Sequence, residues 1–388
     1  MTTNPIYLDA AASMPINPRV SEAMIECLSS DEFIGNPSSA NFLGQKAMQA
    51  IDLARQQLAD LVGTKASNII WTSGATESNN LAIIGAARFR SNRGRHLITM
   101  KTEHKAVSGA FDYLEKEGFE VTRLIPDETG LLHIDDLTAA IKSETQLVSI
   151  MHVNNETGVV QNINEIGKLC RELDVLFHTD AAQSVGKLPL NLERLPVDLL
   201  SVSAHKMYGP QGIGALYIRK AAGCGVIPLF HGGEQEKWIR PGTLPVHQIV
   251  GFGLAAEIAT SSMKSDIKLM QKLYQRMWNG IKNNSGIVVN GSTESYFPGI
   301  LNVSLPGIDG DSLMLMLEPI CVARGSACNS KFHEASHVLK SLGLSDHLAQ
   351  SAIRFSFNRN TQFNEIDFAI KKYNKAVKFL RKILPDGL

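Results

Sequence analysis

The chain has 388 residues, with 38 Lys and Arg balanced by 38 Asp and Glu, a length that calls for one large and one smaller folding unit and a charge balance that supplies no field for a nucleic-acid backbone or an anionic membrane. The start, Met1-Thr-Thr-Asn-Pro, lacks a basic-then-apolar leader pattern, and apolar stretches such as Leu81 to Ala87 fall far short of a membrane span, so a soluble cytoplasmic protein with small-molecule or protein partners is expected. Five cysteines, at 27, 170, 224, 321 and 328, are an odd number without paired spacing, which argues for a reducing compartment and at least one reactive thiol.

From Ile16 to Thr260 the pattern alternates strand, loop and helix. Ile69 to Thr72 leads to a helix over 77–88, His96 to Met100 to a helix over 106–117, and Leu147 to Val153 to a helix over 163–173. Such alternation predicts a mostly parallel sheet covered by helices. Ile213 to Ile218 follows without an intervening helix and reads as an antiparallel member. Residues 248–283 read as one long helix. Beyond it, Val288-Val289, Ile300 to Ser304 and helical stretches over 312–317 and 336–342 predict a smaller α+β domain. The expected division is 16–260 for the large domain, with 1–15 and 261–388 for the small one.

Two polar clusters close successive apolar runs: His178-Thr-Asp-Ala-Ala-Gln183 and Ser203-Ala-His-Lys206. The carboxyl ends of strands are where open α/β sheets bind ligands. An acid ending one strand and a lysine ending the next suit pyridoxal 5′-phosphate, whose aldehyde needs an amine and whose pyridinium nitrogen needs an anion. Taken singly, Asp180 also reads as a helix cap and Lys206 as a solvated loop lysine. Trp71-Thr-Ser-Gly-Ala-Thr-Glu77 places Gly74 and Thr76 where a strand becomes a helix, an anion cradle or an ordinary capped terminus.

His104, in Thr102-Glu-His-Lys-Ala106, is either a structural hydrogen-bonder or a proton carrier beside a ring. Cys328, in Ala323-Arg-Gly-Ser-Ala-Cys-Asn-Ser330, lies among turn-forming residues, so its thiol is expected to be more exposed than those of Cys170 or Cys321. Arg354 stands alone on an apolar run, suited to a carboxylate ligand or to a structural ion pair. His333-Glu-Ala-Ser-His337 fits the H-E-x-x-H zinc pattern, but Ser336 reads as the N-cap of the next helix and breaks the required helical spacing, so no metal is expected.

The chain as a whole resembles the cysteine desulfurases of the NifS/IscS group, within the class V aminotransferase fold. Tyr7-Leu-Asp-Ala-Ala, Gly35-Asn-Pro-Ser-Ser39, Thr72-Ser-Gly-Ala-Thr-Glu-Ser-Asn79, Thr102-Glu-His104, His152-Val-Asn-Asn-Glu-Thr-Gly158, Asp180-Ala-Ala-Gln-Ser184, Ser203-Ala-His-Lys206, Gly232-Gly-Glu-Gln-Glu236, Arg240-Pro-Gly-Thr243 and Gly325-Ser-Ala-Cys328 carry the resemblance, in order and over nearly the full length.

The resemblance implies an aspartate aminotransferase-like fold, with a mostly parallel seven-stranded sheet in the large domain. It implies that Lys206 holds pyridoxal phosphate covalently, Asp180 meets the ring nitrogen, Gln183 the ring hydroxyl, and His104 stacks on the ring. Ala75, Thr76, Ser203 and His205 hold the phosphate, joined by Thr243 from a second subunit, which makes a homodimer the functional unit. Asn36, Asn155 and Arg354 orient L-cysteine. The freed Lys206 amine takes the substrate Cα proton, the Cys328 thiolate attacks the substrate sulfur, alanine leaves, and the persulfide passes to an acceptor protein.

The family's usual histidine after Gly-Asn-Pro-Ser-Ser is Asn41 here, its tyrosine after Leu-Asp is Ala10, and its Glu-Pro-Ser reads Glu334-Ala-Ser336. None of these removes a catalytic group. The end at Leu388, without the longer docking tail of housekeeping members, leaves the acceptor open among iron-sulfur assembly, tRNA thiolation and DNA phosphorothioation. A selenocysteine lyase or other class V enzyme, and a non-catalytic sulfur-transfer scaffold, are the alternative readings.

Overall fold

The computed structural model describes residues 5–324 and 335–383; Cys328, His333 and Leu388 lie outside the described residues. Seven strands form one sheet in the order Ile69–Thr72, Gly214–Ile218, Leu199–Ser203, Leu176–Asp180, Thr145–Ser149, His96–Met100, Glu120–Leu124. Only Gly214–Ile218 runs antiparallel to its neighbours, as the missing helix before it implies. The four central strands are buried along their whole length. Successive residues face opposite sides. Leu97, Leu147, Leu176 and Leu199 pack under helices Ala75–Phe89 and Lys105–Lys116, while Ile98, Val148, Phe177 and Leu200 pack against Phe42–Val62, Ile163–Glu172 and Val246–Ile281. Coverage on both faces explains why these strands read as continuous apolar runs.

The register sets the ends of two strands side by side. Asp180 pairs with Ser201 in the parallel ladder, so the chain leaves both strands at the same rim. The strand expected over 147–153 keeps regular geometry over Thr145–Ser149 only. Ile150 and His152 still donate to the carbonyls of His178 and Asp180, carrying the pairing to that rim without strand geometry.

A second core surrounds a three-stranded antiparallel sheet of Val288–Val289, Ile300–Ser304 and Ile353–Ser356, covered by helix Phe363–Ile383. Ile6–Tyr7 pairs parallel with Ile320–Cys321, and Leu8 is fully buried in this core. Helix Val246–Ile281 serves both cores: Ile249 to Ala259 face the first, Leu273 to Ile281 the second. At 36 residues it spans about 54 Å. It lies close to helix Phe42–Val62, because a Cβ on Gly253 would meet Ala54 at 2.5 Å. Asn41 caps that partner helix, its side-chain oxygen accepting from Gly44 at 2.9 Å. Ser336 caps His337–Ser341 as the sequence predicts, accepting from Val338 and Leu339. No helix among the described residues is long and apolar enough to cross a membrane.

Candidate active site

A cavity of about 520 Å³ opens at the rim where the central strands end. Asp180 closes its strand with its carboxylate pinned twice: Oδ2 accepts from Asn79 Nδ2 at 2.7 Å and Oδ1 from the Ala182 amide at 2.9 Å. The neighbouring strand ends at Ser203, and one tight turn over Ala204–Lys206 swings Lys206 back to the same cavity. Its Nζ donates to the carbonyls of Ala11 and Ala12 at 2.6 and 2.5 Å. Gln183 also lines the cavity, and its Nε2 donates to the Ala11 carbonyl at 2.8 Å.

Opposite these groups, helix Ala75–Phe89 begins at Gly74 with no side-chain cap. The Gly74 φ of 153° is one that side chains rarely adopt, and a Cβ there would stand in open space. The first amides of the helix, at Ala75 and Thr76, therefore face the cavity with the positive end of the helix dipole behind them. Ser203 and His205 complete this wall. Burial first, then Lys206, bring His205 down to about 4, so near neutrality it meets an anion as a neutral hydrogen-bonder. Its Nδ1 lies 3.2 Å from Ser13 Oγ.

His104 caps helix Lys105–Lys116, its Nδ1 accepting from the Ala106 amide at 3.1 Å. That bond places the proton of a neutral ring on Nε2. Burial pulls this imidazole below its ordinary value. The residue is at once the structural hydrogen-bonder and a wall of the cavity. Beside it, Glu103 is fully buried, accepts from Met151 N at 2.7 Å, and burial pushes its carboxyl well up.

Arg354 reaches the cavity from the second sheet, and the ion pair held as its alternative reading is present. Nη2 lies 2.6 Å from Asp9 Oδ1 and Nη1 donates to the Asn155 carbonyl at 2.8 Å, while Nε is buried with no partner among the described residues. Asn155 lines the same cavity. Two expected residues are not brought there. Asn36 is exposed, because its side chain closes a turn onto the Ser38 amide at 2.9 Å. Thr243 is also exposed and outside its own chain's cavity. The segment leading to Thr243 is anchored by Glu236, which holds Arg55 through two 2.7 Å bonds and accepts from Trp71 N. Glu236, Lys237 and Trp238 all have positive φ. Cys328 lies outside the described residues, as does His333 of the zinc pattern; no metal-holding cluster occurs among the described residues.

The sequence reading missed Asn79, Asp9 and the carbonyls of Ala11 and Ala12. Asn79 was within reach: it sits three residues beyond Thr76 on one helix face. The donor set fits pyridoxal phosphate: a lysine amine, a pinned carboxylate and an uncapped helix N-terminus converge on one cavity, with space left at Gly74.

The model of the family described as Aminotransferase class-V matches residues 6–368. Cysteine desulfurase IscS of Proteus mirabilis is 51% identical over 98% of this chain and 95% of its own, and that of Escherichia coli O139:H28 is 50% identical over the same shares. Among solved structures, one titled NifS-like protein superposes with a TM-score of 0.89 at 36% identity, covering 97% of this chain and 100% of its own. Another, titled SspA in complex with cysteine, gives 0.82 at 39%, covering 91% and 99%. The chain belongs to the class-V aminotransferase family, among its pyridoxal-phosphate-dependent cysteine desulfurases.

Proposed function

We propose that this enzyme removes sulfur from L-cysteine, releasing L-alanine, and carries the sulfur as a persulfide on Cys328 to an acceptor protein. The observation that carries the reading is the convergence of Lys206, Asp180 and the uncapped start of helix Ala75–Phe89 on one cavity. Pyridoxal phosphate, when bound, supplies the electron sink for bond breaking at the substrate Cα. Lys206 anchors it and then moves the Cα proton. Asp180 keeps a proton on the ring nitrogen, and its two donors hold the carboxylate in place for that task. Ala75, Thr76, Ser203 and His205 hold the phosphate. His104 covers the ring, and with Nδ1 taken by the Ala106 amide its neutral ring carries on Nε2 the proton it can give. Asn155 and Arg354 orient the substrate, whose carboxylate meets the buried guanidinium.

A homodimer is the working unit in this reading. Its support is Thr243, exposed and outside its own cavity on a segment tied down by Glu236. The smaller domain comprises 1–15 and 261–388 and the cofactor domain 16–260, supported by the two cores that helix Val246–Ile281 joins. A cytoplasmic location agrees with five cysteines of no paired spacing. Iron-sulfur assembly is the favoured destination of the sulfur, because the IscS relatives share about half of the residues over nearly the whole chain.

The test is to purify the protein, record the visible band of bound cofactor, add L-cysteine, and measure alanine together with protein-bound sulfur. One alanine per sulfur transferred is expected. A colourless protein that releases no alanine would overturn the proposal.

A further inference from the structure

Lys187 lies behind the cavity wall, four residues beyond Gln183, with only 5% of its surface exposed. Its Nζ donates to Gln183 Oε1 at 2.8 Å, and the Phe297 ring centre is 5.7 Å away. The charged groups that act on it, Lys206 and Arg354, are both cationic. Burial, and then these two charges, pull the amine well below its usual range. An amine in such a place is costly, and an apolar chain of the same length would serve packing better.

What the amine does there is hold the oxygen end of an amide. Gln183 Nε2 faces the Ala11 carbonyl, which can only accept, and Oε1 faces the Lys187 nitrogen, which donates. The two partners agree on one of the two orientations an amide can take. The nitrogen keeps a second N–H for whatever lies in the cavity that Gln183 lines.

We infer that Lys187 is a positioning residue for the cofactor: by holding Oε1 it locks Gln183 with its donor end toward the cavity, so that Gln183 gives a hydrogen bond to the cofactor's ring oxygen. The inference rests on the cavity being the pyridoxal phosphate site. When the cofactor is bound, a donor at that oxygen would stabilise negative charge there and so lower the pH at which the visible band of the loaded enzyme changes. With Lys187 removed, Oε1 loses its donor and the amide is held by the Ala11 carbonyl alone, so its remaining N–H is less well aimed at the ring and that pH rises.

The test titrates the visible absorption of the loaded enzyme against pH, in wild type, Lys187→Met, Gln183→Ala and the double variant. Lys187→Met should move the midpoint upward by about one pH unit, the effect of one hydrogen bond to a charged group. Gln183→Ala should do the same. The double variant should shift no further, because either change alone disables the same bond. Lys187→Gln retains an N–H donor one atom short, should recover part of the shift, and covers the case in which methionine packs poorly. An unchanged midpoint in Lys187→Met, or additive shifts in the double variant, would overturn the inference and leave the cofactor reading intact. A wild-type protein without the visible band would overturn both.

Discussion

Asp9 and Arg354, 345 positions apart, meet through a 2.6 Å contact between Oδ1 and Nη2, on a guanidinium whose side chain is only 2% exposed. Under the proposed function, in which the substrate carboxylate meets Arg354, the pair sets how that carboxylate is received. A buried guanidinium without a counter-charge is unstable, so Asp9 holds Arg354 in place until a second anion arrives, and the unpartnered Nε leaves a donor for it.

Asp9→Asn should therefore lower stability by roughly 3 kcal/mol, the low end for a broken buried pair because Asp9 is partly exposed. An amino-acid carboxylate should then replace part of the lost charge. Melting curves of the loaded enzyme with and without L-alanine check this: the stabilisation by L-alanine should be larger in the variant than in wild type. Equal stabilisation in both would separate Arg354 from the substrate.

Asn79 offers a second test, since its Nδ2 is one of the two donors that the described residues give the Asp180 carboxylate. Asn79→Ala should keep the fold and slow alanine formation about tenfold, the value of one hydrogen bond to a charged group. Asp180→Asn should cost far more, because it removes the charge itself. If Asn79→Ala turned over at the wild-type rate, the pinning of Asp180 would have no part in the chemistry.

How much of this was legible depends on whether the signal was local. Asp180 and Lys206 stood out because one ends a buried strand and the other follows the end of the next, and parallel register sets those two strand ends side by side. Ser336 was readable as a cap because the bond to its own helix spans two and three residues. The Asp9 and Arg354 pair was not, since it forms only when the N-terminal segment docks on the second sheet, at the bridge between Asp9 and Ser356. Lys187 carries no mark distinguishing it from a surface lysine; only burial reveals it. Asn36, like Thr243, lies outside its own chain's cavity, because membership of a motif does not fix where a side chain points. Two of the three departures from the family pattern have plain local reasons, since Asn41 caps a helix and Ala10 is buried against Met14 and Tyr208; the third, Ala335, packs against Leu339, Ala349 and Ala352.

The buried histidines predict the acid response of the fold. His178 has no exposed surface, sits between Ser149 and Ser201 at 2.8 and 3.0 Å, and burial holds it down to about 3. His152, brought down to about 4, acts in the same sense. Below about pH 6.5 the unfolded chain takes up protons that the folded chain refuses, so this stability is present above that pH and is lost as pH falls toward the folded values. Glu103 opposes the trend, its raised carboxyl favouring the fold as pH falls. Comparison with His178→Asn cancels the other groups. The variant should be less stable at pH 7, and the gap should narrow below pH 6.5 at a rate approaching about 1.4 kcal/mol per pH unit, read from urea melts at pH 7 and 5.5. A constant gap would mean that His178 is protonated in the fold.

Cys328 is the expected sulfur carrier, and the chemistry of the other four cysteines sharpens that assignment. Burial pushes Cys170 and Cys224 up to about 12 and also raises Cys27, so none of the three is a ready thiolate near neutrality. Cys321 is exposed, because among the described residues the Ile320–Cys321 strand pairs only with Ile6–Tyr7; the expected contrast with Cys328 lies outside the described residues. Alkylation alone would therefore report both Cys321 and Cys328. The persulfide separates them: the sulfur leaves a substrate held in the cavity, and Cys321 is not among the residues lining it. After reaction with L-cysteine, mass spectrometry should find the extra sulfur on Cys328 and not on Cys321. Cys328→Ser should retain the cofactor band and its response to L-cysteine while losing alanine release by about a hundredfold or more, since the attacking thiolate is gone. Cys321→Ser should behave as wild type. Extra sulfur on Cys321, with Cys328 unmodified, would move the nucleophile to the edge of the second core and overturn the assignment.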